Sequence, residues 1–308
     1  MLNFLLDIAP DKSQLLLTIK LAGILREKKQ EVYYTYTSNP AFTPVLYNKG
    51  ISNCVLYPDD FRWLKPDLTL LDCRHAAHAS LYRQLAIDYI FIAMQLPNQK
   101  NIQDKDISVL YLPPTPYLSS GSGPRVESLA KRLQDIKKDK GRNIIVGLLG
   151  KGNKNSKILE DFYRVIKRSS IRNPRYQFIL LTDIQNVYQS FELPGNMELF
   201  RTLNLNTILP LCDLALTDSH SDAWLDCTFA QIPVLKYSPK DMINITPMKL
   251  EQQIEYALQN KITLTQKAKE LCDFFERKNR EINKIADMLI ERAGRNRYNS
   301  CRLRPHTY

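Results

Sequence analysis

The chain has 308 residues, 44% hydrophobic and 24% charged, with a formal net charge of +11. This is an ordinary globular composition that excludes disordered, collagen-like and coiled-coil rod classes, and the length suits two domains. A positive surplus of this size attracts anions, whether nucleotides, nucleic acids or acidic lipid headgroups, without choosing among them.

The first residues, MLNFLLDIAPDKSQLLL, lack the layout of a secretory signal, because Asp7, Asp11 and Lys12 interrupt the apolar stretch. No run approaches the ~18 apolar residues of a membrane span. Cys54, Cys73, Cys212, Cys227, Cys272 and Cys301 form no C-x-x-C pair and are irregularly spaced. They read as reduced thiols, so a cytoplasmic protein is expected.

Short apolar runs alternate with longer amphipathic ones, the grammar of βαβ units and parallel sheets. Residues 2–9 predict a strand and 13–28 a helix with Leu17, Leu21 and Leu25 on one face. Strands follow at 31–36, 53–57 and 68–73, a helix at 75–86, and strands at 88–96 and 108–112. A Pro-, Ser- and Gly-containing stretch over 113–124 marks a boundary. The same grammar then restarts: strand 143–149, loop 150–155, helix 156–170 and strand 177–183. A short helix at 205–212, strand 213–218, helix 223–231 and strand 232–237 continue it, and amphipathic helices cover 248–260 and 265–293. The expected domains are 1–125 and 126–290, followed by a basic tail, 291–308, carrying Arg292, Arg295, Arg297, Arg302 and Arg304. That tail reads as a disordered end or as a contact for an anionic membrane surface.

In open parallel sheets, ligands bind beyond the carboxyl ends of the strands. Three loops qualify. In GLLGKGN, Gly150 and Gly152 flank Lys151, which lets backbone amides approach an anion closely, although no Walker A motif is present. In TDSHSDAWLD a strand ends at Asp218 and a polar loop, Ser219–His220–Ser221–Asp222, leads into a helix that Ser219 or Ser221 is placed to cap. In LLDCRHAAH, Asp72 ends a buried strand beside His75, the usual residues of a general base. His78 lies one helical turn from His75, but a two-histidine metal site lacks an obvious third ligand.

These pieces, in this order, resemble the nucleotide-sugar glycosyltransferases with two Rossmann-like domains (GT-B type), of the macrolide and UDP-glucosyl or glucuronosyl transferase kind, across roughly residues 2–290. LAGILREKKQEVYY (21–34) is similar to the family's L-A-x-x-L-x-x-R-G-H-E-V, with Lys28, Lys29 and Gln30 at Arg-Gly-His. The same register puts Ser13 and Gln14 at the family's Gly-His, whose histidine is its general base. KPDLTLLDC (65–73) looks like P-D-x-x-x-x-D, with Asp72 at the acid that partners that histidine. In the second half, Pro194, Asn196 and Asp213 match the family's L-P-x-N-V and A-D, while Leu203 and Asn206 replace a tryptophan and a glutamine. The donor motif H-G-G-x-x-T-x-x-E-A-L-x-x-G-V-P looks like Asp218 to Pro233, with Asp226 at the ribose-binding glutamate, His220 two positions late, and Pro233 retained. Asp241 and Asn244 are similar to the later D-Q-x-x-N.

The resemblance implies an α/β fold of two Rossmann-like domains facing across a cleft, with the last helix returning to the first domain. It also implies transfer of a sugar from a nucleoside diphosphate donor, a UDP-sugar foremost, to an acceptor hydroxyl. The donor would meet Gly150, Lys151, Asp218, Ser219, His220, Asp226, Asp241 and Asn244, and Asp72 with His75 would serve the acceptor. No cofactor, metal requirement or nucleic-acid partner is expected. The alternatives are a degenerate relative that binds without transferring, favoured by Gln14 at the base position, and a nucleotide-sugar epimerase on the same architecture.

Overall fold

The computed structural model describes residues 1–8, 12–35, 52–54, 64–94, 103–104, 107–114, 124–149, 156–182, 192–201, 203–219 and 222–302. The chain divides into two units: Met1–Thr115 with Asp273–Tyr308, and Pro116–Cys272.

The first unit is built on a sheet of β1 (Asn3–Asp7), β2 (Glu31–Thr35), β3 (Ser52–Cys54), β4 (Leu68–Asp72), β5 (Tyr89–Met94), β6 (Gln103–Asp104) and β7 (Ile107–Leu112). Its order is β3-β2-β1-β4-β5-β7-β6. The pairings are parallel except the antiparallel β6–β7 edge. Side chains on a strand alternate between faces, and the core splits accordingly. Phe4, Leu6, Leu68, Leu70, Ile90 and Ile92 pack on one face beneath α1 (Lys12–Glu27). Leu5 and Leu71 pack on the other against Ala79 and Tyr82 of α2 (His78–Gln84).

The second unit repeats the plan. Its strands are β8 (Asn143–Leu148), β9 (Tyr176–Leu181), β10 (Met197–Phe200), β11 (Leu214–Asp218) and β12 (Val234–Tyr237), parallel throughout in the order β10-β9-β8-β11-β12. α3 (Pro124–Lys140) and the short α5 (Leu205–Ile208) cover the face bearing Ile144, Val146 and Ile179. α4 (Ser156–Arg172) and α8 (Pro247–Gln259) cover the face bearing Ile145, Phe178 and Leu216. α6 (Ala223–Phe229) leads into β12, and α7 (Pro239–Asn244) follows it. β10 and α7 were not expected from the sequence.

The C-terminal region corrects the expected domain limits. The helix predicted over 265–293 is two, α9 (Lys261–Arg280) and α10 (Ile282–Arg302), and the division between units falls within α9. Residues 273–290 therefore belong to the first unit, and most of the expected tail is α10. Ile282, Ala286, Leu289 and Ala293 recur at a spacing of four, three and four, which puts them on one helical stripe. All four are fully buried in the core that α1 covers. The arginines of this segment have structural partners: Arg292 grips Asp88 through two 2.8 Å bonds, and Arg297 reaches Asp67 at 2.9 Å. The Asp88 carboxyl is pushed up by burial, but the bonds from Arg292 and Asn296 outweigh this and hold it below its ordinary pKa. The implied return of the last helix to the first domain is what the structure shows. No helix among the described residues is long and apolar enough to cross a membrane.

Two helix ends bear on the alignment. α1 closes with Lys29 N–H bonded to the Arg26 carbonyl and Gln30 N–H to that of Leu25, and Lys29 has φ +60°. α6 closes in the same way, with Gln231 at φ +57° bonded to Thr228, and Ile232 bonded to Cys227. This is the Schellman arrangement, whose left-handed residue is usually glycine. Lys29 and Gln231 occupy the two positions where the resembled motifs carry glycine, in R-G-H-E-V and G-V-P. The backbone has kept a glycine conformation under side chains for which it costs about 1–2 kcal/mol. Part of that is returned through the unfolded state when glycine is installed. Lys29→Gly and Gln231→Gly are therefore each expected to stabilise their own unit by about 0.5–1 kcal/mol in urea unfolding; destabilisation by either would contradict the register.

Candidate functional site

Taken unit by unit, both sheets run 3-2-1-4-5 in local strand order, the Rossmann arrangement, in which ligands gather where the order reverses. That point lies between β1 and β4 in the first unit and between β8 and β11 in the second.

In the first unit β1 ends on Asp7 and β4 on Asp72, with Asp7 opposite Leu71 in the ladder. A 3-10 turn, Cys73–His75, leaves β4 and runs toward α2. His75, His78 and Tyr82 recur at three and four residues, so they share a helical face. All three converge on Asp7. His75 Nδ1 lies 3.0 Å from Asp7 Oδ1 and His78 Nδ1 2.7 Å from Oδ2. Tyr82 donates its hydroxyl to Oδ2 at 2.7 Å, and Thr35 donates to Oδ1 at 3.3 Å. Asp7 is 2% exposed. Burial would raise its pKa, but the bonds from Tyr82, His78 and His75 outweigh burial and hold the carboxyl below its ordinary value. Burial and the Asp7 charge push the Tyr82 hydroxyl the other way, so it stays a donor.

An ionised carboxylate only accepts hydrogen bonds, so each imidazole presents Nδ1–H to Asp7. A neutral ring so held keeps its lone pair on Nε2. The side chains of His75 and His78 are 25% and 50% exposed, and their rings stand 4.9 Å apart. The site therefore holds two oriented, accessible bases on one buried anion. The carboxylate that orients His75 is Asp7, whereas the sequence pointed to Asp72. Asp72 caps the 3-10 turn through the Arg74 amide at 2.9 Å and pairs with the Arg74 guanidinium. Asp7 is also the third ligand that a metal site at His75 and His78 lacked in sequence: one ligand atom from each of the three lies within 4.8 Å of the others. The missed signal was the aspartate closing the first buried strand. Gln14, at the family's base position, is buried in the first turn of α1.

In the second unit, Gly150, Lys151 and His220 lie outside the described residues, as does Ser221. Asp218 closes β11 fully buried, and the exposed Ser219 donates its amide to the Tyr237 carbonyl. Asp226 is nearly buried on α6. The N-cap of that helix is Asp222, without a side-chain capping bond, in place of the expected serines. Asp241 makes a reciprocal cap with Ser238, which lowers its pKa, and Asn244 bonds the Lys240 carbonyl. Both are thus engaged locally within α7. Asn196 and Asp213 hold the sheet. Asn196 Nδ2 donates to the Ser170 and Tyr176 carbonyls, each at 2.9 Å. Asp213 accepts from the Ile144 amide at 2.8 Å and pairs with Lys137 and Lys261.

No family model and no curated protein matches the chain. Solved structures do. The glycotransferase of kitacinnamycin superimposes with a TM-score of 0.67 at 13% identity, covering 94% of this chain and 98% of its own. Spinosyn rhamnosyltransferase SpnG complexed with thymidine diphosphate gives 0.63 at 10% identity, covering 92% and 100%. The fold is that of the GT-B glycosyltransferases. A protein from Listeria monocytogenes assigned as UDP-N-acetylglucosamine 2-epimerase is also similar, with a TM-score of 0.62 at 10% identity over 87% and 90% of the two chains. The expected α/β architecture of two Rossmann-like domains is borne out.

Removing the Tyr82 hydroxyl leaves a buried carboxylate short of a donor. Tyr82→Phe is expected to cost about 1.5–3 kcal/mol at neutral pH. Because the folded pKa of Asp7 is depressed, its contribution is complete above the ordinary carboxylate pKa of ~3.9 and is lost as pH falls through the folded value. The Tyr82→Phe deficit should therefore shrink on acidification in parallel urea titrations; a deficit independent of pH would contradict an ionised Asp7.

Proposed function

We propose that the protein is a nucleotide-sugar-dependent glycosyltransferase whose acceptor base is the His75–His78 pair, oriented by Asp7. The observation that carries this reading is the placing of both Nδ1 atoms on one buried, ionised carboxylate, at the strand reversal where a Rossmann sheet binds ligands. The likeness of the whole fold to glycosyltransferases, one of them complexed with thymidine diphosphate, supports the donor class.

The chemistry needs a proton acceptor and a means of stabilising the departing diphosphate. An Nε2 lone pair takes the proton of the acceptor hydroxyl as its oxygen bonds to the anomeric carbon and the bond from that carbon to the diphosphate breaks. Asp7 stabilises the imidazolium that results, as the carboxylate of a catalytic triad does. In the second unit, Ser219 and His220 after β11, and Gly150–Lys151 after β8, are assigned to the donor, with Asp226 on a ribose hydroxyl; Asp218, fully buried, is left to the sheet. Lys151 and His220 are the groups that would offset charge growing on the leaving diphosphate. Metal has no part in this scheme, so transfer should persist in EDTA.

The test has two stages. Thermal unfolding against UDP-, TDP- and GDP-sugars should show one nucleotide class stabilising the protein, by about 2.7 kcal/mol at a hundred times Kd. With that donor and an acceptor panel, replacing both histidines by glutamine should lower kcat by about 10²–10⁴-fold, the usual share of a general base, while leaving the thermal shift intact. Saturable nucleotide binding without product from any acceptor would return the reading to a binding protein. Interconversion of the donor without an acceptor would make it an epimerase.

A further inference from the structure

The Asp7 carboxylate is buried, and its partners among the described residues are a threonine, a tyrosine and two imidazoles; no lysine or arginine is among them. Buried charges are normally paired with a counter-charge or coordinate a metal. Both imidazoles approach through the same ring nitrogen, one to each carboxylate oxygen, and their ligand atoms with that of Asp7 lie within 4.8 Å of one another. We infer that Asp7, His75 and His78 form a binding site for a divalent transition metal ion of the zinc class.

The donor set selects the ion. Two imidazoles and a carboxylate suit zinc and its neighbours, while magnesium and calcium prefer oxygen alone. Three protein ligands leave a fourth tetrahedral position for water or another oxygen. With metal–ligand bonds of about 2.0–2.2 Å, tetrahedral ligand atoms stand roughly 3.4 Å apart. The hydrogen-bonded distances of 3.0 and 2.7 Å open by about 0.4 and 0.7 Å toward that separation as the ion replaces the two Nδ1 protons, and the ligand atoms, all within 4.8 Å of one another, draw in around it. The surrounding shell suits a ligand too. Tyr82 and Thr35 each donate to the carboxylate, as the outer partners of metal-bound carboxylates do. The exposed half of His78 provides the route in.

Metal on Nδ1 displaces the protons by which Asp7 orients the rings. Zinc and the base role therefore exclude one another, and zinc should inhibit the transfer reaction; that consequence alone rests on the transferase reading.

The experiment uses the full chain, free of any affinity tag, titrated with Zn²⁺ alone by calorimetry and assayed for metal content after gel filtration. One zinc per chain is expected. His78→Gln, a half-exposed position, should weaken binding at least tenfold while the apo protein still melts cooperatively, and His75→Gln with His78→Gln should abolish the site. Tyr82→Phe should keep the stoichiometry and weaken binding about tenfold. Cys73, an exposed thiol beside the site, is the competing ligand, so Cys73→Ser should bind as the wild type does. Equal zinc in wild type and the double glutamine variant, or loss of zinc in Cys73→Ser, overturns the proposal. Zinc bound by a protein that transfers nothing when metal-free would sustain this site and remove the transferase reading; transfer without zinc binding would do the reverse.

Discussion

A carboxylate buried at the end of a strand has two stable fates: it gathers donors and stays charged, or it keeps its proton. Asp7 has gathered donors, and the placing of His75, His78 and Tyr82 in the first unit depends on it. The ladder places it beside the end of β4, and the turn that leaves β4 brings His75, His78 and Tyr82 to it on one helical face. Each donor is thereby oriented, and the two imidazoles gain a defined tautomer that neither would have alone on the surface.

The pairing exchanges places with the pattern it resembles. There a histidine after the first strand is oriented by an acid after the fourth. Here the acid closes the first strand and the histidines follow the fourth. Because β1 and β4 are neighbours in the sheet, the exchange returns a carboxylate–imidazole pair to the same strand ends. Gln14, which fills the family's histidine position, is left to the packing of α1. Loss of the signature residue is thus compatible with retention of the chemistry.

Much of the resemblance concerns architecture. Asp67 of the P-D pair accepts from the Asn3 amide at 2.7 Å, and Gln30 accepts from that of Leu2 at 2.9 Å, so both fasten the start of β1. Asn196 and Asp213 fasten the second sheet, and Lys29 and Gln231 keep backbone turns that were made for glycine. Those roles fix local geometry, which explains why the fold was legible where the activity was less so. Strands and helices followed from apolar period, and their order from alternation. The set of His75, His78 and Asp7 was half legible. His75 and His78 stood out, but their carboxylate lies 68 residues from His75 in the chain, and only the sheet order brings it near. Asp72 was the nearer acid in sequence, and Arg74 takes it. The expected basic tail is a docked helix for a related reason. Its arginines dominate the composition, while the stripe from Ile282 to Ala293 that docks it is visible only at helical spacing.

If Asp7 orients both rings, the tautomers of His75 and His78 are fixed by it. Two-dimensional ¹⁵N NMR of imidazole-labelled, metal-free protein distinguishes protonated from bare ring nitrogens, and His75→Gln and His78→Gln assign the signals. Nδ1–H with an unprotonated Nε2 is expected for the neutral form of both rings, and loss of that preference in Asp7→Asn. Predominant Nε2–H tautomers, or spectra unchanged by Asp7→Asn, would contradict it.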